Sequence, residues 1–574
     1  MGLLASVAER QGDLDARYPQ WVPKRIDQML DTAVKAFPDR PYVITDRGEW
    51  SYTQISDWST RVAAGLIKLG VKPGDHVGLL MANYPEFVAA KYGIARAGAT
   101  CIPINFLNRR HELAYVLRQS DAVALITMDT FRDLDYVADL DAICSGWQSQ
   151  GGGDEFPLLK NVVMFQTSER ALPAGALSFD ALCDLDTPVL VDPIDTIGGE
   201  ALADILYTSG TTGEPKGVLL THDMLLRTAF GSVYGRAFQD GRKVTFSLPM
   251  YHVYGLVEGM LAVPFVGGAI IPELTFRPVG TLNTISRHRA EDVLFIPTMT
   301  SGLLDAYEKD PAAYDLSSLT SMITSGGISP PGIWDRIFAL LGEIELTTGY
   351  GMSETSGSST VTAPDDPSER RENTNGKLRT VGAAGRDVEG GYLVRYRVVD
   401  TRSGVDVDPG QVGELVCHGP GVTKGYYKKP EETAETIDAE GWLHTGDLGY
   451  FDEQGYLVLV GRVKETFRTG GEQVMPKEVE DAIAIRPEIL QVHVVALPDP
   501  RAGEVGVAYI VAREGYAVDP DEIIAHCEER LARFKVPRHV RVIAIEDVPT
   551  TPSGRPRKFL LAERARQEIE KEIF

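Results

Sequence analysis

Ile205-Leu206-Tyr207-Thr208-Ser209-Gly210-Thr211-Thr212-Gly213-Glu214-Pro215-Lys216-Gly217 carries the strongest signal in this chain. An apolar run enters a turn dense in hydroxyls, and a lysine follows. Gly210 and Gly213 permit positive φ, so successive backbone N–H groups can converge on an anion. Thr208, Ser209, Thr211 and Thr212 add hydroxyl donors, and Lys216 adds a point charge on a flexible stem. The spacing of glycine and lysine is not that of a Walker A loop. A polar surface loop can have the same composition. The strand before this one and the Pro-Lys-Gly after it favour a phosphate cradle.

Outward from that loop, strands and helices alternate. Residues 27–37 and 52–69 carry helical periodicity, the first ended by Pro38 and the second by the turn 70–74. Short apolar strands are expected at 77–80, 99–103 and 123–127, with a helix at 84–97. More core strands are expected at 244–248, 294–297 and 322–325, each followed by a loop rich in Gly, Pro or hydroxyl residues. Such alternation builds parallel sheets covered by helices, with ligands beyond the carboxyl ends of the strands. Residues 145–155 (SGWQSQGGGDE) read as a mobile surface loop. After about Arg379 the strands shorten and glycine turns crowd together. After Gly461 a block of helix and strand begins, with helices expected at 476–485 and 520–531 and strands at 492–496, 507–511 and 540–545.

At 574 residues and 43% hydrophobic, the chain can bury three or four structural units. A net charge of -24 argues against general affinity for nucleic acid or anionic membranes. Cys101, Cys144, Cys183, Cys417 and Cys527 are scattered, without CxxC spacing. That pattern fits a reducing compartment and neither a disulfide framework nor a zinc knot. The apolar stretch 255–271 is too short to span a membrane and contains Glu258 and Pro264, so it reads as core. A cytoplasmic location is expected.

At this point the chain resembles the adenylate-forming superfamily, which includes acyl-CoA synthetases, luciferases and peptide-synthetase adenylation domains. The match begins with YTSGTTGEPKG. It continues, in the family's order, through Pro249-Met250-Tyr251-His252-Val253-Tyr254-Gly255, Ser325-Gly326-Gly327 and Gly349-Tyr350-Gly351-Met352-Ser353-Glu354-Thr355. Gly441-Trp442-Leu443-His444-Thr445-Gly446-Asp447 and Gly461-Arg462-Val463-Lys464-Glu465 complete it, and the likeness covers about residues 25–560.

The resemblance implies an α/β fold with a large N-terminal part and a small C-terminal α+β domain. Residues 1–379 would form two parallel-sheet subdomains carrying the phosphate loop and an acyl pocket. Residues 380–463 would add a β-rich subdomain, and 464–574 would be mobile, rotating between an adenylating and a thioester-forming pose. The implied reaction joins a carboxylic acid to coenzyme A through an acyl-AMP made from ATP and Mg²⁺.

By the same resemblance, Glu354 is the Mg²⁺ ligand, Ser353 and Gly327 lie by the nucleotide, and Tyr350 stacks on adenine. Asp447 takes the ribose hydroxyls, which suits a group that only accepts. Arg462 contacts ribose and phosphate with a planar fork. Lys464 is the pivot, and Gly470 and Gly471 let backbone approach the pantetheine chain. His252, between Tyr251 and Tyr254, is a gate or wall residue and not an essential base. Val253, Leu256, Met299 and Leu303 would make the acyl pocket apolar, so a bulky hydrophobic acid is expected: fatty, aromatic or polycyclic.

One position departs from the pattern. The family's C-terminal lysine, which bridges carboxylate and α-phosphate, is replaced by Arg555 in Thr551-Pro552-Ser553-Gly554-Arg555-Pro556-Arg557-Lys558. A broad rigid fork is not equivalent to a slim ammonium at a crowded transition state. Three readings stay open. Arg555 works, only more slowly. Lys558 takes the role by a register shift. Or adenylation is crippled, and the enzyme consumes an acyl-adenylate supplied by a separate adenylating enzyme. A carrier-dependent adenylation module, a luciferase-like oxygenase and an inactive nucleotide sensor are the other classes considered. A homodimer is compatible with the resemblance.

Overall fold

The computed structural model describes residues 4–185, 197–208, 214–326, 332–550 and 556–573. Ser209, Gly210, Thr211, Thr212, Gly327 and Arg555 therefore lie outside the described residues.

The large part is built on two seven-stranded sheets. In the first, Leu202–Thr208, Thr100–Pro103, His76–Leu80, Ala122–Met128, Asn161–Phe165 and Ala176–Ser178 run parallel in that order, and Lys216–Thr221 closes one edge as an antiparallel partner. In the second, Glu345–Thr347, Ser321–Thr324, Asp292–Phe295, Lys243–Phe246, Ala269–Pro272 and Pro41–Thr45 run parallel, ending in the antiparallel strand Gly48–Ser51. Strands such as Thr100–Pro103, Ala269–Pro272 and Asp292–Phe295 are buried at every position. Both of their faces are covered, so nothing alternates between wet and dry faces.

The helices start where the sequence supplies caps. Ser51 accepts the Gln54 N–H at the start of Tyr52–Lys68, and Pro85 and Pro297 open Pro85–Arg96 and Pro297–Lys309. The apolar stretch 255–271 is core, as read. Its Glu258 is fully buried in a π-helical turn, Leu256–Met260, and is paired with Arg379 at 3.2 Å and with Ser232. Residues 145–155 differ from the expected polar loop. Trp147 opens a short helix and is buried, donating to Asp141 at 2.7 Å, because a lone aromatic in a polar run gains by docking.

Antiparallel sheets follow from Gly349. Gly349–Met352, Gly357–Val361 and Lys377–Leu378 make a three-stranded sheet, and Arg395–Val399, Gly413–His418, Leu443–Phe451 and Leu457–Arg462 a four-stranded one. A smaller α+β domain completes the chain. Its five-stranded sheet orders Glu472–Val474, Phe467–Thr469, Gly503–Ala512 and Ile489–Asp499, with His539–Val542 parallel to Gly503–Ala512. Separate apolar clusters around Val494, Ile510 and Cys527, and around Tyr509, Leu561 and Ala565, give this domain its own core. The terminal helix Lys558–Ile573 had no counterpart in the sequence reading.

Candidate active site

Four neighbouring strands of the second sheet deliver four loops to the same edge. Lys243–Phe246 leads to His252, Asp292–Phe295 to Pro297, Ser321–Thr324 to Ser325, and Glu345–Thr347 to Tyr350. Side chains stitch these loops together. Tyr254 donates to the Phe295 carbonyl at 3.0 Å, Thr300 and Thr324 hydroxyls lie 3.0 Å apart, and Ser325 donates to the Gly349 carbonyl at 2.6 Å. The site thus sits where open parallel sheets hold ligands.

The strands flanking the hydroxyl-rich loop are an antiparallel pair with Thr208 opposite Lys216. No helix follows directly, which sets this loop apart from a Walker A loop. Segment 423–427 runs along Lys216–Thr221: Leu219 donates to Gly425 at 3.2 Å, and Tyr427 to Gly217 at 2.8 Å. The Thr423 N–H then reaches the Glu354 carbonyl at 2.8 Å. One segment therefore ties the lysine strand to the Ser353–Thr355 turn. Tyr426 completes the link. Its ring lies 4.8 Å from the Lys216 ammonium, and its hydroxyl donates to Glu354 Oε1 at 3.0 Å. The sequence reading missed Tyr426, because a tyrosine in Gly-Tyr-Tyr-Lys looks like core; only its place after a glycine turn hinted otherwise.

Ser353 and Glu354 are both buried. Burial pushes the Glu354 carboxyl above its ordinary range, against the Tyr426 hydrogen bond and the Arg462 charge, which lower it. Asp447 acts on the same carboxyl in the raising direction. That places the second half of the site beside the first. Tyr350 donates to Asp447 Oδ2 at 2.7 Å, and Arg462 Nε donates to Asp447 Oδ1 at 2.5 Å. Burial opposes the charge on Arg462, but Asp447 outweighs it and holds the guanidinium above its ordinary value. Glu414 braces the turn below, accepting from Gly446 N–H at 3.1 Å.

Lys216, Tyr350, Ser353, Glu354, Asp447 and Arg462 are therefore gathered from distant parts of the chain, and Thr208 ends the strand beside them. Lys464 is exposed in the Val463–Glu465 turn. Gly470 and Gly471 form an exposed hairpin tip with positive φ and open space around them, in the C-terminal domain. His252 caps the Val253–Gly255 turn, its Nδ1 accepting the Tyr254 N–H at 3.2 Å. Burial pushes its pKa down to about 4, so it is neutral, and the proton sits on Nε2.

The expected acyl wall is altered. Leu256 and Leu303 are fully buried in the packed cores, and only Met299 of the four keeps appreciable exposure. Lys558 is likewise committed elsewhere, to Glu480 at 2.7 Å and Glu465 at 3.1 Å. Among the described residues no cluster of three metal-ligating side chains occurs, and no helix is long and apolar enough to cross a membrane.

The family model for AMP-binding enzymes matches residues 30–427, and that for the AMP-binding enzyme C-terminal domain matches 478–555. The chain belongs to the AMP-binding enzyme family. This is the adenylate-forming superfamily whose motifs it resembles. Among relatives, a methyl-dioxo-octahydroindenyl-propanoyl:CoA ligase of Mycobacterium tuberculosis is 32% identical over 548 residues, covering 94% of this chain and 99% of that protein. A feruloyl-CoA synthase of an Amycolatopsis species is 32% identical over 508 residues, covering 88% and 92%. ATP-bound MatB of Rhodopseudomonas palustris superposes with a TM-score of 0.80 at 25% identity, covering 94% and 99%. AMP-binding enzymes of this kind are ligases, and the full-length match makes this chain one.

Proposed function

We propose that this AMP-binding enzyme converts a bulky hydrophobic carboxylic acid to its coenzyme A thioester through an acyl-AMP. The carrying observation is the gathering of Lys216, Glu354 and Asp447 around one spot, joined through Tyr426 and Tyr350. Two anions, carboxylate and ATP, must meet there, so charge must be neutralised before the carboxylate attacks the α-phosphorus and pyrophosphate leaves.

Lys216 and the hydroxyl-rich loop would hold the β- and γ-phosphates. Glu354 would hold Mg²⁺, and a single buried carboxylate suits that ion, which takes its other oxygens from water and phosphate. When bound, the ion neutralises phosphate charge. Each Asp447 oxygen already accepts one donor and keeps a lone pair for a ribose hydroxyl. Tyr350 would flank the adenine, with Ser353 near the α-phosphate. In the second step the C-terminal domain, from Lys464 onward, would rotate so that Gly470 and Gly471 approach the thiol. Neutral His252 presents an N–H at Nε2 and would line the gate without acting as a base.

The acid's class rests on chemistry. Segments 251–258 and 297–303 contain no lysine or arginine to receive a second carboxylate. The two relatives above are named for an octahydroindenyl-propanoyl and a feruloyl group, and others are named as medium-chain acyl-CoA ligases. A thioester-formation screen across acid sizes tests this, and a clear preference for acetate would overturn it.

A second reading is kept for one reason. Lys558 is held in two ion pairs and is not free to replace the family's lysine, which leaves Arg555 in that role. Adenylation would then be crippled, and the enzyme would take a preformed acyl-adenylate from a partner enzyme. Pyrophosphate exchange, run beside coenzyme A capture of a synthetic acyl-AMP, separates the two. Robust exchange removes the second reading, and failure of both steps removes the ligase assignment.

A further inference from the structure

Two ion pairs bracket the turn Gly461-Arg462-Val463-Lys464-Glu465-Thr466. Upstream, Arg462 is tied to Asp447, its register partner in the four-stranded sheet. Downstream, the Glu465 carboxylate lies 3.1 Å from the Lys558 ammonium, which lies 2.7 Å from Glu480. Glu480 stands on helix Pro476–Ala484 and also accepts the Val494 N–H at 2.7 Å, from strand Ile489–Asp499. Lys558 opens the terminal helix Lys558–Ile573. One ammonium thus joins the turn, two helices and a strand.

The Lys558–Glu480 pair is too dry for an ordinary surface pair, at 16% and 4% exposed, while Glu465 at 28% is partly exposed. Burial alone would lower the Lys558 pKa, yet the Glu480 and Glu465 carboxylates raise it. Just past the second anchor, Thr466 donates its N–H and its hydroxyl back across the turn to the Arg462 carbonyl at 3.2 and 2.9 Å. A rotation about Lys464 must break those bonds.

We propose that Lys558 is a positioning residue that clasps Glu465 to Glu480, so that the chain beyond Lys464 moves rigidly with the C-terminal domain and rotation is confined to Val463 and Lys464. This rests on the two-pose reading above. Without the ammonium, two carboxylates face each other. Glu480 is retained by Val494, so Glu465 is the one expelled, and the pivot loses its far anchor.

The test uses full-length Lys558→Met, Lys558→Arg and Glu465→Gln, with steady-state thioester formation and hydrogen–deuterium exchange of a peptide containing Thr466. Lys558→Met is expected to lower kcat about tenfold or more, since small misplacements are costly. KM for acid and ATP, bound by the large part, should stay within about twofold. Exchange at Thr466 should rise, and Lys558→Arg should restore most of kcat. If Lys558→Met fails to fold, Glu465→Gln cuts the same link and should give the same split. Unchanged exchange at Thr466 overturns the proposal, whether kcat holds or falls together with stability. If the wild type forms no thioester from any acid or acyl-adenylate, the functional reading fails; exchange still decides the clasp, raised exchange supporting it and unchanged exchange overturning it.

Discussion

Tyr426→Phe removes one oxygen from the candidate site and keeps the ring. The ring remains 4.8 Å from the Lys216 ammonium, so that contact survives. What is lost is the hydroxyl donated to Glu354 Oε1 at 3.0 Å. The Glu354 carboxyl is already raised by burial, and Tyr426 opposes that rise. A hydrogen bond to a charged group contributes about 1.5–3 kcal/mol. One pKa unit is about 1.4 kcal/mol, so the loss corresponds to roughly one to two pH units. The sign follows from the chemistry. A donor favours the ionised carboxylate, so its removal favours the protonated form. If Glu354 must be ionised to hold Mg²⁺, activity will be lost at higher pH on the acid side. The assay is thioester formation across a range from about pH 5 to about pH 9, at low and at saturating Mg²⁺. Excess Mg²⁺ should compete with the proton and pull the acid limb partly back. An acid limb that stays in place in a folded, active variant would refute the role given to Glu354.

Asp447→Asn should cost about 2–5 kcal/mol in kcat/KM for ATP, because Arg462 keeps its charge but loses its partner; steady-state kinetics with a loss under about threefold would argue against the ribose role. Arg379→Met removes the ion-pair partner of the fully buried Glu258, leaving it the Ser232 hydrogen bond, and should lower stability by about 3–5 kcal/mol in urea unfolding, and Glu258→Gln on top should recover part of it. Arg555→Lys should raise pyrophosphate exchange about tenfold or more if the broad guanidinium limits adenylation, since misfit at a reacting centre is steep in distance. No change would put the limit elsewhere.

Local elements were legible wherever period and caps agreed. The helix expected at 52–69 is Tyr52–Lys68, and the strand expected at 99–103 is Thr100–Pro103. Sheet order was not legible. Thr100–Pro103 pairs with Leu202–Thr208 across about a hundred intervening residues, and no local pattern encodes such a pairing. The terminal helix escaped because charged residues crowd its sequence; among its residues of described burial, Leu561 and Ala565, four apart, are the fully buried pair. Trp147 escaped because the run around it is polar and glycine-rich, yet that run packs tightly: any side chain at Gly175 would strike the Gln148 backbone. Lys216, Tyr350, Ser353, Glu354, Asp447 and Arg462, which the structure brings together, were read from motifs, but Tyr426, which links two of them, lies outside every motif read. The pocket wall was overread: Leu256 and Leu303 have the right polarity for a wall, and polarity cannot distinguish a wall from a core.

The antiparallel pairing of Thr208 with Lys216 has a further consequence. The residues between them close a ring whose two ends are nailed to one ladder rung. Insertion or deletion there cannot be absorbed by sliding the strands, because a one-residue slip would turn Val218 and Leu220 outward from the core that buries them. Most surface loops tolerate changes of length and of sequence. This one should tolerate neither: its glycines and hydroxyls are the ones read as serving phosphates, and the ladder pairing of Thr208 with Lys216 holds its two ends.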